Sequence, residues 1–483
     1  MPRSPSDSSL APPGTAAPRR FPLAPLLVFA AVLAVYLAVP CERASDDNYD
    51  SELTAYSIAT GNRGDLEALR PYLGSPALHH RATVLESRRG RLVAGRGFGV
   101  ALALAPFYGL ASAAGLPTEV VLSDRFNQLF AAAWCALAVA LFFATVRRLD
   151  DPGAAWFATV AFAFGSSVLS ILSREVWQHS LLVLLSAAAV WLLTGAASRD
   201  GDWRVAAAGF VAGWGVAVRP TGLLVALPLA WAAWRYRGRR SAGFFAALAP
   251  WLVAVSLYNW WEFGSPFTFG QTIIGAARFG TAEGRVFGLT PLASLLGALF
   301  SPGRGFLVFS PVFALAAALL PAALHTARDR ARGLAGPDPG AERLRPLVGP
   351  AVAAILLNFA ATAAWKEWAG GWTYGPRYTS DTLVFWSLLL ALGFHAVRGL
   401  APRWRRLTWA AGVVTLAVSI ANHAAGLLVN PYLPYSHSAV VQPDRNPERL
   451  WRWSEFPPLY NLRVWWAGVG RERPAQDRKA HRE

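Results

Sequence analysis

Two short stretches hold most of the side chains able to do chemistry. The first is "GGWTYGPRYTSD" at residues 370–381. Gly370, Gly371 and Gly375 loosen its backbone, Trp372, Tyr374 and Tyr378 offer flat aromatic faces, and Arg377 carries a fixed positive charge. The second is "ASDDNYDSELTAYS" at 44–57, where Asp46, Asp47, Asp50 and Glu52 crowd together just after an apolar run. A carboxylate can take a proton from a hydroxyl. A planar guanidinium matches the oxygens of a phosphate, and aromatic faces suit sugar rings. The combination reads as a site for a phosphorylated, sugar-bearing substrate, with Asp47, Asp46 or Asp50 as the candidate base.

Other candidates are spread along the chain. Arg219 stands before Pro220, between two apolar runs, and Arg304 lies between glycines in "SPGRG". Lys366 and Glu367 sit between Trp365 and Trp368, and His179 ends "SREVWQH". Arg304, Arg377, Arg219 and Lys366 are the expected phosphate contacts. Trp372, Tyr374, Tyr378, Glu367 and His179 are the expected substrate contacts. Each also has a plainer use. An acidic residue near a helix start caps free N–H groups, an interfacial arginine reaches lipid head groups, and tryptophans form an aromatic belt. Arg304 and Arg377 fit the plain uses least, because flanking glycines let backbone approach a ligand closely.

The elements that must position these residues are membrane helices. The chain has 483 residues, 54% of them hydrophobic and only 15% charged. Apolar runs of spanning length recur at 22–39, 126–147, 153–173, 178–197, 203–218, 220–236, 243–261, 304–325, 346–364, 380–398 and 405–428. No strand-period pattern suggests a barrel. The expected fold class is therefore an all-α polytopic membrane protein with about eleven transmembrane helices. A twelfth run, 97–115, contains Gly97, Gly99, Pro106 and Gly109 and is expected to lie at the interface. Only then do the Arg clusters at 147–148, 235–240, 328–345 and 398–406 all fall on the side of Arg19 and Arg20. The loop 40–125, with surface helices, and the tail 429–483 then lie outside. Residues 1–21 are expected to be a disordered cytoplasmic N-terminus, and 22–428 the membrane domain.

The net charge of +16 is accounted for by these loop clusters, so it does not imply nucleic acid as a partner. No "GxxxxGK[ST]" loop or dinucleotide fingerprint is present. There is no His/Cys cluster at zinc spacing. No cofactor is expected, and nothing in the sequence indicates a divalent metal on the first-loop carboxylates. Cys41 and Cys135 are the only cysteines, and Cys135 lies in an apolar run, which disfavours a structural disulfide.

The chain resembles the GT-C-fold glycosyltransferases that use polyprenyl-phosphate-linked sugars, such as the protein mannosyltransferases and aminoarabinose transferases. A first span leads to a long external loop that begins with acidic residues, here Asp46 and Asp47. Then come "AYSIATGNRGDLEAL", "GRLVAGRGFGVALALAPFYGL", "WQH", "VRPTGLL", "YNWWEFGSPFTFGQ", "SPGRGFLVFSP" and "GGWTYGPRY" in matching order. The resemblance implies an enzyme of the cell envelope, in a bacterial-type inner membrane with an external active site. It implies inverting transfer from a polyprenyl-phosphate sugar donor to a hydroxyl of a glycan, lipid or protein acceptor. The presumed base falls on Asp47 or Asp46. Two readings of another kind use the same residues: a flippase for a lipid-linked sugar, and a membrane protein of this fold without catalysis.

Overall fold

The computed structural model describes residues 23–41, 46–74, 83–196, 201–279, 291–331, 336, 338–371, 373–428 and 447–467. Helices dominate it. In chain order they are α1 (Leu23–Ala38), α2 (Asp46–Ala59), α3 (Gly99–Ala113), α4 (Thr118–Val121), α5 (Asp124–Val146), α6 (Pro152–Phe164), α7 (Gln178–Gly195), α8 (Asp202–Val218), α9 (Leu223–Arg237), α10 (Ala242–Phe263), α11 (Gly270–Phe279), α12 (Pro291–Phe300), α13 (Phe306–Phe309), α14 (Ala314–Ala331), α15 (Pro339–Leu344), α16 (Val348–Ala364), α17 (Leu383–Ala396) and α18 (Pro402–Ala425). A short helix, Pro457–Trp466, follows. The strands β1 (Val84–Glu86) and β2 (Leu92–Ala94) pair antiparallel, with Leu85 opposite Val93.

Every expected apolar run contains a helix, and the chain is an integral membrane protein of the all-α class. Among the described residues, six helical segments are long and apolar enough to cross a bilayer: Thr118–Leu149, Gln178–Gly195, Pro220–Phe263, Pro339–Ala364, Tyr378–Gly399 and Pro402–Ala425. Several other runs break early for local reasons. The run 153–173 leaves α-helix at Phe164 and closes with a wide turn at Val168–Leu172. The run 304–325 is interrupted at Ser310–Pro311, because proline supplies no N–H to continue α13. The pair 203–218 and 220–236 is two helices, as expected. Arg219 is fully extended between them (φ −160°, ψ 147°), a conformation that the following Pro220 favours.

Burial separates the inner from the outer helices. The α17 segment is wholly enclosed, packed on α14, α6 and α16. The α9–α10 segment is mostly open and presents Leu227, Trp231, Val253 and Leu257 outward. Those side chains need an apolar surrounding, which the bilayer provides.

The first loop forms a second apolar cluster on one end of the bundle. Tyr49 and Leu53 of α2 and Leu104 and Tyr108 of α3 pack with Leu181, Leu182 and Val218. Expected as a broken surface helix, 97–115 forms a continuous helix α3 that passes through Pro106 and packs along α2. Its glycines serve close approach. A Cβ on Gly97 would lie 2.6 Å from the Ala217 carbonyl oxygen, and one on Gly99 would lie 2.4 Å from the Val218 nitrogen. The segment carrying Arg96 therefore lies directly on the end of α8, next to Arg219.

Candidate active site

Asp47 occupies the first turn of α2, and its half-buried side chain is held from two sides. Arg96 pairs with Oδ1, and Arg377 Nη1 lies 3.1 Å from Oδ2. Burial alone pushes the Asp47 carboxyl up. The charges of Arg96 and then Arg377 outweigh it and carry the group down to about 2. Asp47 is thus a carboxylate at neutral pH, ready to accept a proton. Asp50, one turn on, is fully buried. It accepts from the Thr83 backbone N–H at 2.7 Å and lies 3.7 Å from Arg96 Nε. Asp50 therefore braces Arg96 and the strand segment, whereas Asp47 keeps a third of its side chain exposed. The Asp46 side chain and Trp372 lie outside the described residues.

Arg377 is itself fixed by aromatic faces. Its guanidinium stacks over Trp177 at 4.5 Å and over Tyr378 at 5.1 Å. Gly370, Gly371 and Gly375, at φ +76°, +66° and +70°, make the turns that bring Arg377 back over α2. One turn beyond Arg377, Asp381 is buried and joins two further candidates. His179 Nδ1 lies 2.7 Å from its Oδ1, and Arg219 Nη1 lies 3.1 Å from its Oδ2. The same Arg219 nitrogen rests against the imidazole, 2.9 Å from Nε2. Asp47, Arg377, Tyr378, His179 and Arg219, all read from the sequence, thus form one cluster drawn from four segments.

Several buried donors in this cluster have no acceptor. They are Nε of Arg219, the Trp177 indole N–H and the Gln178 amide N–H, while Nε of Arg96 has only the Asp50 carboxylate at 3.7 Å. Buried donors left unpaired are costly. Unpaired donors on Trp177, Gln178 and Arg219, in a cluster that also holds Arg96 and Arg377, suit an anion bearing several oxygens. A small, partly open pocket lies beside Arg96, lined by Phe98, Val216, Tyr258, Phe263 and Phe269, with Arg96, Asn259 and Gln271 as its polar members. The cluster thus borders an apolar space.

Other expected contacts are elsewhere. The Arg304 side chain is only 2% exposed, and its guanidinium donates to the backbone oxygens of Ala369, Gly371 and Gly303 at 2.8, 2.7 and 3.0 Å. It locks the glycine turn in place. Tyr374 is buried against Phe309 and Phe456 and donates its hydroxyl to the Asn422 carbonyl at 2.5 Å, so it packs the tail instead of lining the site. Lys366 and Glu367 are half-buried in the turn after α16, with Glu367 within electrostatic reach of Tyr378.

Three contributors escaped the sequence reading. Arg96 sits between Gly95 and Gly97, the same glycine–arginine–glycine pattern that drew attention to Arg304. Asp381 closes the opening motif, and its role depends on His179 lying 202 positions earlier in the chain. Glu175 faces Glu52 beneath Asp47. Burial raises both carboxyls well above the usual range.

No family profile and no curated protein sequence matches the chain. Solved structures do. The oligosaccharyltransferase of Archaeoglobus fulgidus, solved with a tethered acceptor peptide, aligns at TM-score 0.54 and 11% identity, over 89% of this chain and 59% of its own. The chain thus spans about three fifths of that protein's length. ArnT from Cupriavidus metallidurans, solved with undecaprenyl phosphate, aligns at 0.49 and 13% over 92% and 77%. The mycobacterial arabinofuranosyltransferase AftD aligns at 0.43 and 15% over 84% and 28%. At such identity a likeness speaks for architecture alone, and the architecture of this chain is the GT-C glycosyltransferase fold.

Proposed function

We propose that the protein is a glycosyltransferase that moves a sugar from a polyprenyl-phosphate donor to an acceptor hydroxyl at the outer face of the membrane. One observation carries this reading: Asp47 is held between Arg96 and Arg377 at the edge of a set of buried, unpaired donors. A carboxylate base beside an anion cradle is what attack on a glycosyl phosphate requires.

In this mechanism the acceptor hydroxyl gives its proton to Asp47 as its oxygen attacks the anomeric carbon. The bond from that carbon to the phosphate oxygen breaks, and configuration inverts. The leaving group is a phosphate monoester, whose second pKa of about 6 lets it depart without a general acid. Glycoside hydrolysis, by contrast, uses two carboxylates. Arg377 and Arg96 face the charge that builds on phosphate, and Arg219, held by Asp381, supports it from the far side. Tyr378 and Trp177 hold the guanidinium of Arg377 flat toward the donor. The apolar cavity beside Arg96 adjoins the place where a phosphate on a lipid would lie. The GT-C fold supports the same reaction class, with the acceptor and sugar left to experiment.

Membranes containing the protein, given radiolabelled polyprenyl-phosphate sugars, test the proposal. Transfer of label to an acceptor is expected. Movement of the donor across the bilayer without transfer identifies a flippase, and neither outcome identifies a non-catalytic protein.

A further inference from the structure

The cluster around Asp47 leaves a second group of arginines unused. They are on the turn of the β1–β2 hairpin, which is fastened to the last turn of α10. Arg88 N–H donates to the Glu262 carbonyl at 2.9 Å, Arg88 Nε donates to the Trp261 carbonyl at 3.2 Å, and Arg91 pairs with Glu262 at 2.8 Å. This anchoring sets two exposed guanidinium groups flat on two exposed indoles. Arg88 lies 5.3 Å from the Trp260 ring centre, and Arg89 lies 3.9 Å from that of Trp261. Trp260 and Trp261 are each 48% exposed, and Phe267, just beyond, is 83% exposed.

Three features point to a ligand. The patch ends a helix whose outer face is apolar and open, so its tryptophans stand where hydrocarbon gives way to head groups. Among the described residues, neither Arg88 nor Arg89 forms an ion pair, while neighbouring Arg91 does. Arg88 gives only its Nε to the Trp261 carbonyl, and Arg89 makes no side-chain hydrogen bond among the described residues, so both guanidinium groups keep N–H donors for an acceptor. Two such cations above an apolar step match a phosphodiester with its acyl chains lying along α10.

We infer that Arg88 and Arg89, on Trp260 and Trp261, form a binding site for the head group of an anionic bilayer phospholipid, separate from the donor site. The hairpin carries both this patch and, shortly after β2, Arg96. A lipid seated there steadies the segment that holds Asp47.

Native mass spectrometry of the full chain, released from mixed phosphatidylglycerol and phosphatidylcholine, tests this. Retention of phosphatidylglycerol over phosphatidylcholine is expected. In R88Q/R89Q that retention should weaken roughly thirtyfold, from about fivefold per arginine near an anionic surface. Because Arg88 also holds the hairpin, R89Q alone is the second variant. Its side chain makes no hydrogen bond among the described residues, and a roughly fivefold loss is expected. R405Q/R406Q, on exposed arginines at the start of α18, should weaken retention less than R88Q/R89Q. Equal retention of both lipids by the unaltered protein, or undiminished phosphatidylglycerol in R89Q and R88Q/R89Q, overturns the inference.

Discussion

Replacing Arg377 by glutamine sets two effects against each other, and their sizes decide the outcome. Arg377 lies 3.1 Å from Asp47 Oδ2, and with Arg96 it holds that carboxyl at about 2, against an ordinary 3.8. Without Arg377 the group rises by about one to two units, because the burial that pushes it up persists. A stronger base gains roughly three- to tenfold in rate at a Brønsted slope of about one half. The variant also loses a cation facing the departing phosphate, which costs on the order of a hundred- to a thousandfold. The loss dominates, and kcat/KM should fall roughly a hundredfold. The pH profile carries the independent signature. In the unaltered protein the acid limb set by Asp47 lies below the working range, so kcat/KM should stay flat down to about pH 5. In Arg377→Gln that limb should move upward toward about pH 3 to 4. The assay is transfer of labelled sugar in membranes from about pH 3 to 8.5, with protein levels matched. An unchanged rate with an unchanged limb would refute the pairing of Arg377 with the base. A lower rate with a limb that does not move would assign Arg377 to phosphate alone and remove Asp47 from proton transfer.

Four further outcomes follow from the same geometry. Asp381→Asn breaks a buried link to both His179 and Arg219, which should destabilise the protein by about 3 kcal/mol and lower thermal stability in detergent. Gly97→Ala sets a methyl 2.6 Å from the Ala217 carbonyl oxygen and should cost about 1–3 kcal/mol, while displacing Arg96 and lowering transfer. Arg304→Lys cannot reproduce three carbonyl contacts, so it should reduce folded yield, and the surviving protein should keep the pH profile of the parent. Glu52 has a folded-state pKa raised by burial, so the folded protein holds a proton there that the unfolded chain releases. Its stability falls as pH rises above the ordinary glutamate range, and Glu52→Gln should be increasingly the more stable form between pH 6 and 9 in thermal melts.

Helix positions were readable because membrane helices must satisfy their backbone internally, so the hydrophobic runs locate them directly. Breaks inside those runs were harder to read. Ser310–Pro311 was visible as letters, but the wide turn at Val168–Leu172 depends on Ser170 bonding His423 from α18, a partner distant in the chain. At the site, residue type told more than neighbourhood. Asp47 and Arg377 have side chains that make little sense in a lipid-facing role, and both lie in the cluster. Arg304 shows the limit of that logic. Its glycine neighbours allow close approach, but the approaching group is the chain's own backbone. Arg96 has the same neighbours and the opposite fate, because Gly97 and Gly99 press its segment onto α8 beside Arg219. Only the packing distinguishes the two. Glu175 was hidden for another reason: a carboxyl buried against a second carboxyl looks in sequence like an ordinary loop acid.

The central claim is that the carboxylate of Asp47 accepts the proton of the acceptor hydroxyl. Asp47→Asn keeps the size of the side chain and removes the charge between Arg96 and Arg377. Sugar transfer from a labelled polyprenyl-phosphate donor, measured with protein shown to be inserted and folded, should disappear in this variant. Transfer at the parental rate would contradict the account.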